Sequence, residues 1–256
     1  RSSVFCQHFY RASEIDDEQV SEVFVRINSE GKQLNQADFI LTLMSVFWDE
    51  GRKQLEDFSR NCRIPTTGTP SPYNTFIQPS PDQLLRVCVG LAFKRARLKY
   101  VYSILRGKDL ETEEFSDDLR DRQFEVLKDA QARVINLQYW HDFLSTIRAA
   151  GYRDQNMITS DINVVYTYIF YLMGRTEYNV DLHELRKVIS LRFFMSSMTG
   201  RYSASSETQL EFDLGRFSEI STADEFCARI RQTCRETVTS DYWSIAFPGE
   251  LATSAG

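Results

Sequence analysis

Phe24-Val25-Arg26-Ile27-Asn28-Ser29-Glu30-Gly31-Lys32-Gln33-Leu34-Asn35 has the form of a helix end, a polar turn and a new helix start. Val20, Val23, Phe24 and Ile27 share one helical face. Gly31 is a natural stop because a residue without Cβ enters left-handed backbone space at no steric cost. Asn35 then caps a second helix. This grammar of capped start, apolar face and glycine stop recurs down the chain. It predicts a mainly α protein, a multi-helix bundle with at most a short N-terminal strand.

Upstream, Val4-Phe5-Cys6-Gln7-His8-Phe9-Tyr10 alternates loosely and is rich in aromatics, as in the last strand of a sheet whose other strands are not in this chain. Asp16 or Asp17 caps a first helix to about Asn28. The second runs from Gln36 through Trp48 and, past Gly51, to Arg60; Phe39, Ile40, Leu41, Leu43, Met44, Val46 and Phe47 make it apolar almost all round, so it is expected to be central and buried. Pro65, Pro70, Pro72, Pro79 and Pro81, with Gly68, mark Cys62 to Ser80 as the clearest loop, a hinge or mobile insertion. Pro81 opens a helix to about Lys99, which Val101 to Arg106 extend or follow. Asp117 to about Ala149 predicts one long amphipathic helix ended by Gly151, and Asp161 to Met173 another. Asp181 with Glu184, Ser206 with Gln209, and Thr222 with Glu225 are start signals for three more. The expected organisation is 1–60, which holds the turn; a Pro-rich loop, 61–80; a helical domain, 81–240; and a tail, 241–256.

At 256 residues and 42% apolar composition the chain can bury a sizeable core. A net charge of −6 opposes general attraction to polyanions, so any nucleic-acid contact needs a local basic patch. Five cysteines (Cys6, Cys62, Cys88, Cys227, Cys234) form no C-x-x-C pair, and His8, His141 and His183 lack ligand spacing, so no zinc site is expected. An odd thiol count without a secretory leader fits a reducing cytoplasm. Residue 1 is arginine, which suggests a piece of a longer chain. No apolar run reaches the roughly 20 residues of a membrane span, so no membrane partner is expected; Val164 to Met173 comes closest and fits a buried helix.

Three polar stretches are candidate sites. At a fraying helix end Arg26 and Asn28 can face one pocket, with Arg26 a forked phosphate or nucleotide donor beside Gly31 and Lys32. Alternatively, Arg26 offsets the helix dipole and Asn28 helps the chain turn. Lys94, Arg95, Arg97 and Lys99 lie within six residues, flanked by Phe93 and Tyr100, and suit either nucleic-acid phosphates or a solvated helix end. Gly200 stops one helix and Ser206 caps the next; Arg201, Tyr202 and Ser203 form the polar turn between them, pinning it to the bundle by hydrogen bonds. Glu30-Gly31-Lys32 has the E-x-K form of some metal-dependent nucleases but lacks the strand and acidic partner, and no P-loop, G-x-S-x-G or H-E-x-x-H occurs.

Phe24-x-Arg26-x-Asn28-x-x-Gly31-x-x-Leu34, with an apolar helix after it, resembles the later part of the ParB-like domain of GmrSD-type modification-dependent restriction endonucleases. Arg192-Phe193-Phe194-Met195, then Gly200-Arg201-Tyr202-Ser203-x-Ser205 and the helix from Glu207 to Asp213, look like that family's helical tail. The resemblance covers residues 1 to about 240. It implies the helical C-terminal portion of a restriction or anti-phage defence protein, with 1–60 the end of the ParB-like α/β region. In that picture Arg26, Asn28, Gly31 and Lys32 complete a nucleotide-responsive site, fed by an NTP with Mg in the full-length protein, and the helices relay to a nuclease domain or subunit or to DNA. The family's upstream Asp-Gly-Gln-Gln-Arg segment and its HNH-type nuclease module do not occur here. Full-length relatives are NTP-dependent nucleases or their subunits, whereas this piece is expected to bind no cofactor alone. Two alternatives stay open: a non-catalytic helical interaction module, and a DNA-contacting domain using residues 94–99. The expected outcome for the chain by itself is neither nucleotide hydrolysis nor DNA cleavage; turnover that survives purification and disappears with Arg26→Ala would overturn it.

Overall fold

The computed structural model describes residues 36–109, 112, 114–158 and 160–238, across which ten α-helices succeed one another. They are α1 (Gln36–Phe47), α2 (Asp49–Asn61), α3 (Pro81–Phe93), α4 (Leu98–Leu105), α5 (Asp117–Val134), α6 (Leu137–Ala149), α7 (Asp161–Leu172), α8 (Leu182–Met198), α9 (Ser206–Gly215) and α10 (Ala223–Thr237). The fold class is mainly α, and among the described residues the only β pairing is an isolated bridge between Lys108 and Phe115. The strand expected at Val4–Tyr10, the first helix, the Arg26–Lys32 corner and the 241–256 tail lie outside the described residues.

The bundle is built round α7, in which every residue from Asn163 to Leu172 is buried. It packs on α3 and α8; α3 also holds α5 and α2, and α8 also holds α6 and α10. At about 1.5–3 kcal/mol for each fully buried large apolar side chain, this two-sided arrangement is the main source of stability. A single hydrophobic core runs from Ala37 to Cys234, so the described part of the first segment shares its interior with the helical segment. Helix α1 is not the all-round buried element expected: it buries Ala37, Ile40, Leu43 and Met44 and leaves Phe39, Val46 and Phe47 half-buried. An apolar composition shows that a helix packs but not how many neighbours it has.

Three expected helices are each two. The second stops at Trp48, whose extended φ of −159° breaks the ladder and lays its ring over Gly51, where a Cβ would sit 2.4 Å from the indole. The Pro81 helix ends at Phe93, because Lys94 adopts a left-handed φ of 54°. Asp117 to Ala149 breaks at Asn136, whose side chain accepts from Tyr139 N and caps α6. In each case the apolar period continues across the break, so periodicity alone does not mark it. The 62–80 loop is no free insertion. Phe76 and Ile77 are buried, Asn74 Oδ1 accepts from both their amides at 2.9 Å, and Trp140 Nε1 donates to Pro72 O at 3.0 Å.

Past α7 the chain makes a π turn, Met173–Glu177, before Asp181 caps α8 through the amides of His183 and Glu184. Gly174 sits where this turn meets α8 and α10: a Cβ there would be 2.5 Å from Leu185 Cδ1 and 2.8 Å from Phe226 Cε1, both fully buried. Gly174→Ala is therefore expected to destabilise the protein by about 1–3 kcal/mol through overpacking. A urea melt checks this, and an unchanged midpoint would show that the junction can relax.

Candidate functional site

Asp213 lies on α9 with Leu210 and Leu214, which puts it on that helix's buried face with no exposed surface. A buried carboxylate is tolerated only when its oxygens are saturated with donors. Arg201 supplies a fork, Nε to Oδ2 at 2.9 Å and Nη2 to Oδ1. Arg192 Nη2 donates to Oδ2 at 2.9 Å, and Tyr202 Oη donates to the same oxygen at 2.7 Å while accepting from Arg192 Nη2 at 2.6 Å. Gln209 Nε2 adds a longer bond to Oδ1 at 3.3 Å.

The cations are anchored in turn. Arg192 lies over the Phe170 ring, its Cζ 3.6 Å from the centroid, and Arg201 Nη1 donates to Thr237 Oγ1 at 2.8 Å. Tyr202 packs edge-on against Tyr166. One carboxylate thus joins α7, α8, the 199–205 turn, α9 and α10. Burial works against its charge, but the Arg201 bonds and the Arg192 charge outweigh burial and hold its pKa at about 2.

The polar turn expected at Arg201, Tyr202 and Ser203 is one side of this cluster; Ser203 itself stays at the surface and closes the turn through Gly200 O at 2.6 Å. Ser205, not Ser206, precedes the first turn of α9. The sequence reading places Asp213 only at the end of a helix and Arg192 only within the family-like segment, so it misses the pair. A signal exists for both. Asp213 falls three after Leu210 and four before Phe217, and Arg192 falls four after Val188, so both polar side chains occupy apolar-face positions.

Three cations of the basic stretch hold acceptors within the chain, and Arg95 and Lys99 lie at the surface. Lys94 Nζ donates to Leu91 O at 2.6 Å and pairs with Glu177; Arg95 pairs with Glu211 at 2.8 Å; Arg97 Nη2 reaches Thr208 Oγ1 at 3.4 Å; Lys99 is exposed. Glu211 also accepts the Ala96 and Arg97 amides, so α9 clamps the α3–α4 connection. Burial opposes the Glu211 charge, but these donors keep its pKa below the usual value. Arg26, Asn28, Gly31 and Lys32 lie outside the described residues.

Among the described residues no group of three or more His, Cys, Asp or Glu could hold a metal, and no helix is long and apolar enough to cross a membrane. Cys62, Cys88, Cys227 and Cys234 are free and buried, and burial pushes the Cys62 thiol up to about 12. No protein-family model, curated protein or solved structure matches the chain.

Asp213→Asn leaves the buried Arg192 and the part-buried Arg201 without their anion and is expected to cost roughly 3–5 kcal/mol in chemical denaturation. Tyr202→Phe removes one bridge and is expected to cost about 1–3 kcal/mol. The carboxylate's folded-state pKa lies below its unfolded value of about 4, so its contribution, on the order of 2 kcal/mol, is full above pH 4 and is lost as pH falls toward 2. Acid titration of wild type against Asp213→Asn checks this. Parallel curves between about pH 4 and 2 would exclude Asp213 as the titrating group.

Proposed function

We propose that the chain is the helical part of a GmrSD-like restriction or anti-phage defence protein. In this reading Arg26, Asn28, Gly31 and Lys32 complete a nucleotide-responsive ParB-like site, and the bundle relays its state to a nuclease domain or subunit or to DNA. One observation supports it most. Within the stretches that resemble the family's helical tail, Arg192, Arg201, Tyr202 and Asp213 close into one hydrogen-bonded unit. Gln36 opens α1 four residues after Lys32 in the sequence, and Ala37 and Ile40 on that helix are in the core.

A second reading, a non-catalytic helical interaction module, draws on Leu191 and Phe194, three apart on α8 and 39% and 45% exposed. A DNA-contacting role for Lys94, Arg95, Arg97 and Lys99 has less support, since three of these four cations already hold acceptors within the chain.

Titration of the full-length protein with ATP and GTP in the presence of Mg, paired with melting curves, separates the readings. Arg26→Ala is expected to abolish nucleotide binding and to change stability by no more than about 1 kcal/mol, the value of an exposed arginine at a helix end. Arg201→Ala should do the opposite, melting early. An Arg26→Ala protein that melts early and still binds nucleotide would make the corner structural and leave the interaction module as the better account.

A further inference from the structure

Helix α8 packs on α7, α6 and α10 and leaves one side open. Asn163 Nδ2 on α7 donates to Ser197 Oγ at 2.7 Å, Ser190 Oγ donates to Thr146 O on α6 at 3.1 Å, and Arg192 Nη1 reaches Thr233 Oγ1 on α10 at 3.5 Å. The open side carries Lys187, Leu191 and Phe194, spaced four and three apart, with Leu191 39% and Phe194 45% exposed. A single apolar side chain at a surface is ordinary. Two on one helix face, beside the half-buried Met195, make a patch that an apolar cover can shield from water.

Helix α10 runs beside this face in the same direction as α8. Arg231 pairs with Glu184, Thr233 accepts from Arg192, and Thr237 Oγ1 accepts from Arg201 Nη1 at 2.8 Å. Glu184 and Leu191, seven residues apart, lie on one edge of α8, so the side of α10 that carries Arg231 borders the open stripe. Val238 follows Arg231 by seven residues on that same side, just past the end of α10. The chain therefore leaves α10 next to the patch.

The sequence that follows has the matching chemistry. Residues 239–256, outside the described residues, hold Tyr242, Trp243, Ile245 and Phe247 together, and Asp241 and Glu250 with no Lys or Arg. Trp243, Ile245 and Phe247 alternate with the small Ser244 and Ala246, so an extended run puts the three on one face. At roughly 3.3 Å per residue, the steps from Val238 to Trp243 reach about 16 Å, more than the ~8–10 Å between packed helix axes. Trp243 to Phe247 then spans about 13 Å, against about 10 Å along α8 from Phe194 back to Lys187. On the rim, Lys187 and Arg231 share the Glu184 carboxylate, and Arg235, one turn beyond Arg231, is exposed; Asp224 stands at the far end of α10. Cations thus prevail where the chain emerges, which suits an acidic segment.

We propose that residues 241–247 fold back over α8, with Trp243, Ile245 and Phe247 covering Leu191 and Phe194, so that the chain shields this face itself. The inference is independent of the nucleotide reading, and it takes from the interaction-module reading the face that supports it.

Chymotryptic cleavage after Tyr242 or Trp243 under native conditions, paired with light scattering and melting curves, tests it. In the wild type cleavage is expected to be slow at every protein concentration, because a docked segment enters the protease cleft only when it opens. Phe194→Ser and, separately, Phe247→Ser should each speed cleavage by about tenfold or more, the loss of one buried aromatic contact. The double variant should be cut no faster than the faster single one, since both remove the same contact. Phe247 lies beyond the last helix of the bundle, so its variant is expected to keep the wild-type melting of the helices even where Phe194→Ser lowers it. Wild-type cleavage as fast as that of a free peptide of residues 238–250, or a rate that neither variant changes, would overturn the proposal. So would protection that grows with protein concentration alongside a dimer that Phe194→Ser dissociates, which would assign the face to a second copy of the chain.

Discussion

The arrangement of the C-terminal helices depends on the Asp213 carboxylate and the two guanidinium groups that enclose it. An unpaired buried charge costs far more than a protein of ordinary stability can absorb, so α8, the 199–205 turn and α9 must arrive together for any of them to be tolerated. Arg192 cannot lie over Phe170 without α7 in place, and Arg201 is steadied by Thr237 on α10. Replacing the cluster with hydrocarbon of equal volume would lose little affinity between helices but would lose their register. A fork can meet a carboxylate in few orientations, whereas apolar surfaces slide.

Register matters most next to α7. A helix buried on all sides has no solvent-facing side to orient it, so its rotation is set by polar side chains that must find partners: Asn163 toward Ser197, Tyr168 toward Val134 O. The same constraint holds Tyr171 in the core with its hydroxyl unmet. The π turn and α8 meet at the close approach of Gly174 to Leu185.

Helix α9 links the two halves of the bundle. Its buried face presents Asp213 to the arginine cluster, while Glu207 and Glu211, four residues apart, hold Arg86 and the Lys94–Arg97 connection. Paired cations have already lost part of their hydration and their freedom to meet an incoming phosphate.

Composition, capping residues and apolar period were enough to determine a mainly α chain. Thr222 with Glu225 forms its capping box, Asp181 caps α8, and Gly151 and Gly200 take the positive φ of helix stops. These features are local, set within a turn of helix by backbone sterics and hydrogen bonds to near neighbours, and so they are legible in one dimension. Tertiary structure alone decided that the second helix breaks at Trp48, that the proline-rich loop is pinned by Trp140, and that α7 rather than α1 is central. It also decided that Arg192 and Arg201 share Asp213. The physical reason is common to all of these. Each depends on which surfaces remain to be buried, and which charges remain to be paired, once segments distant along the chain have packed.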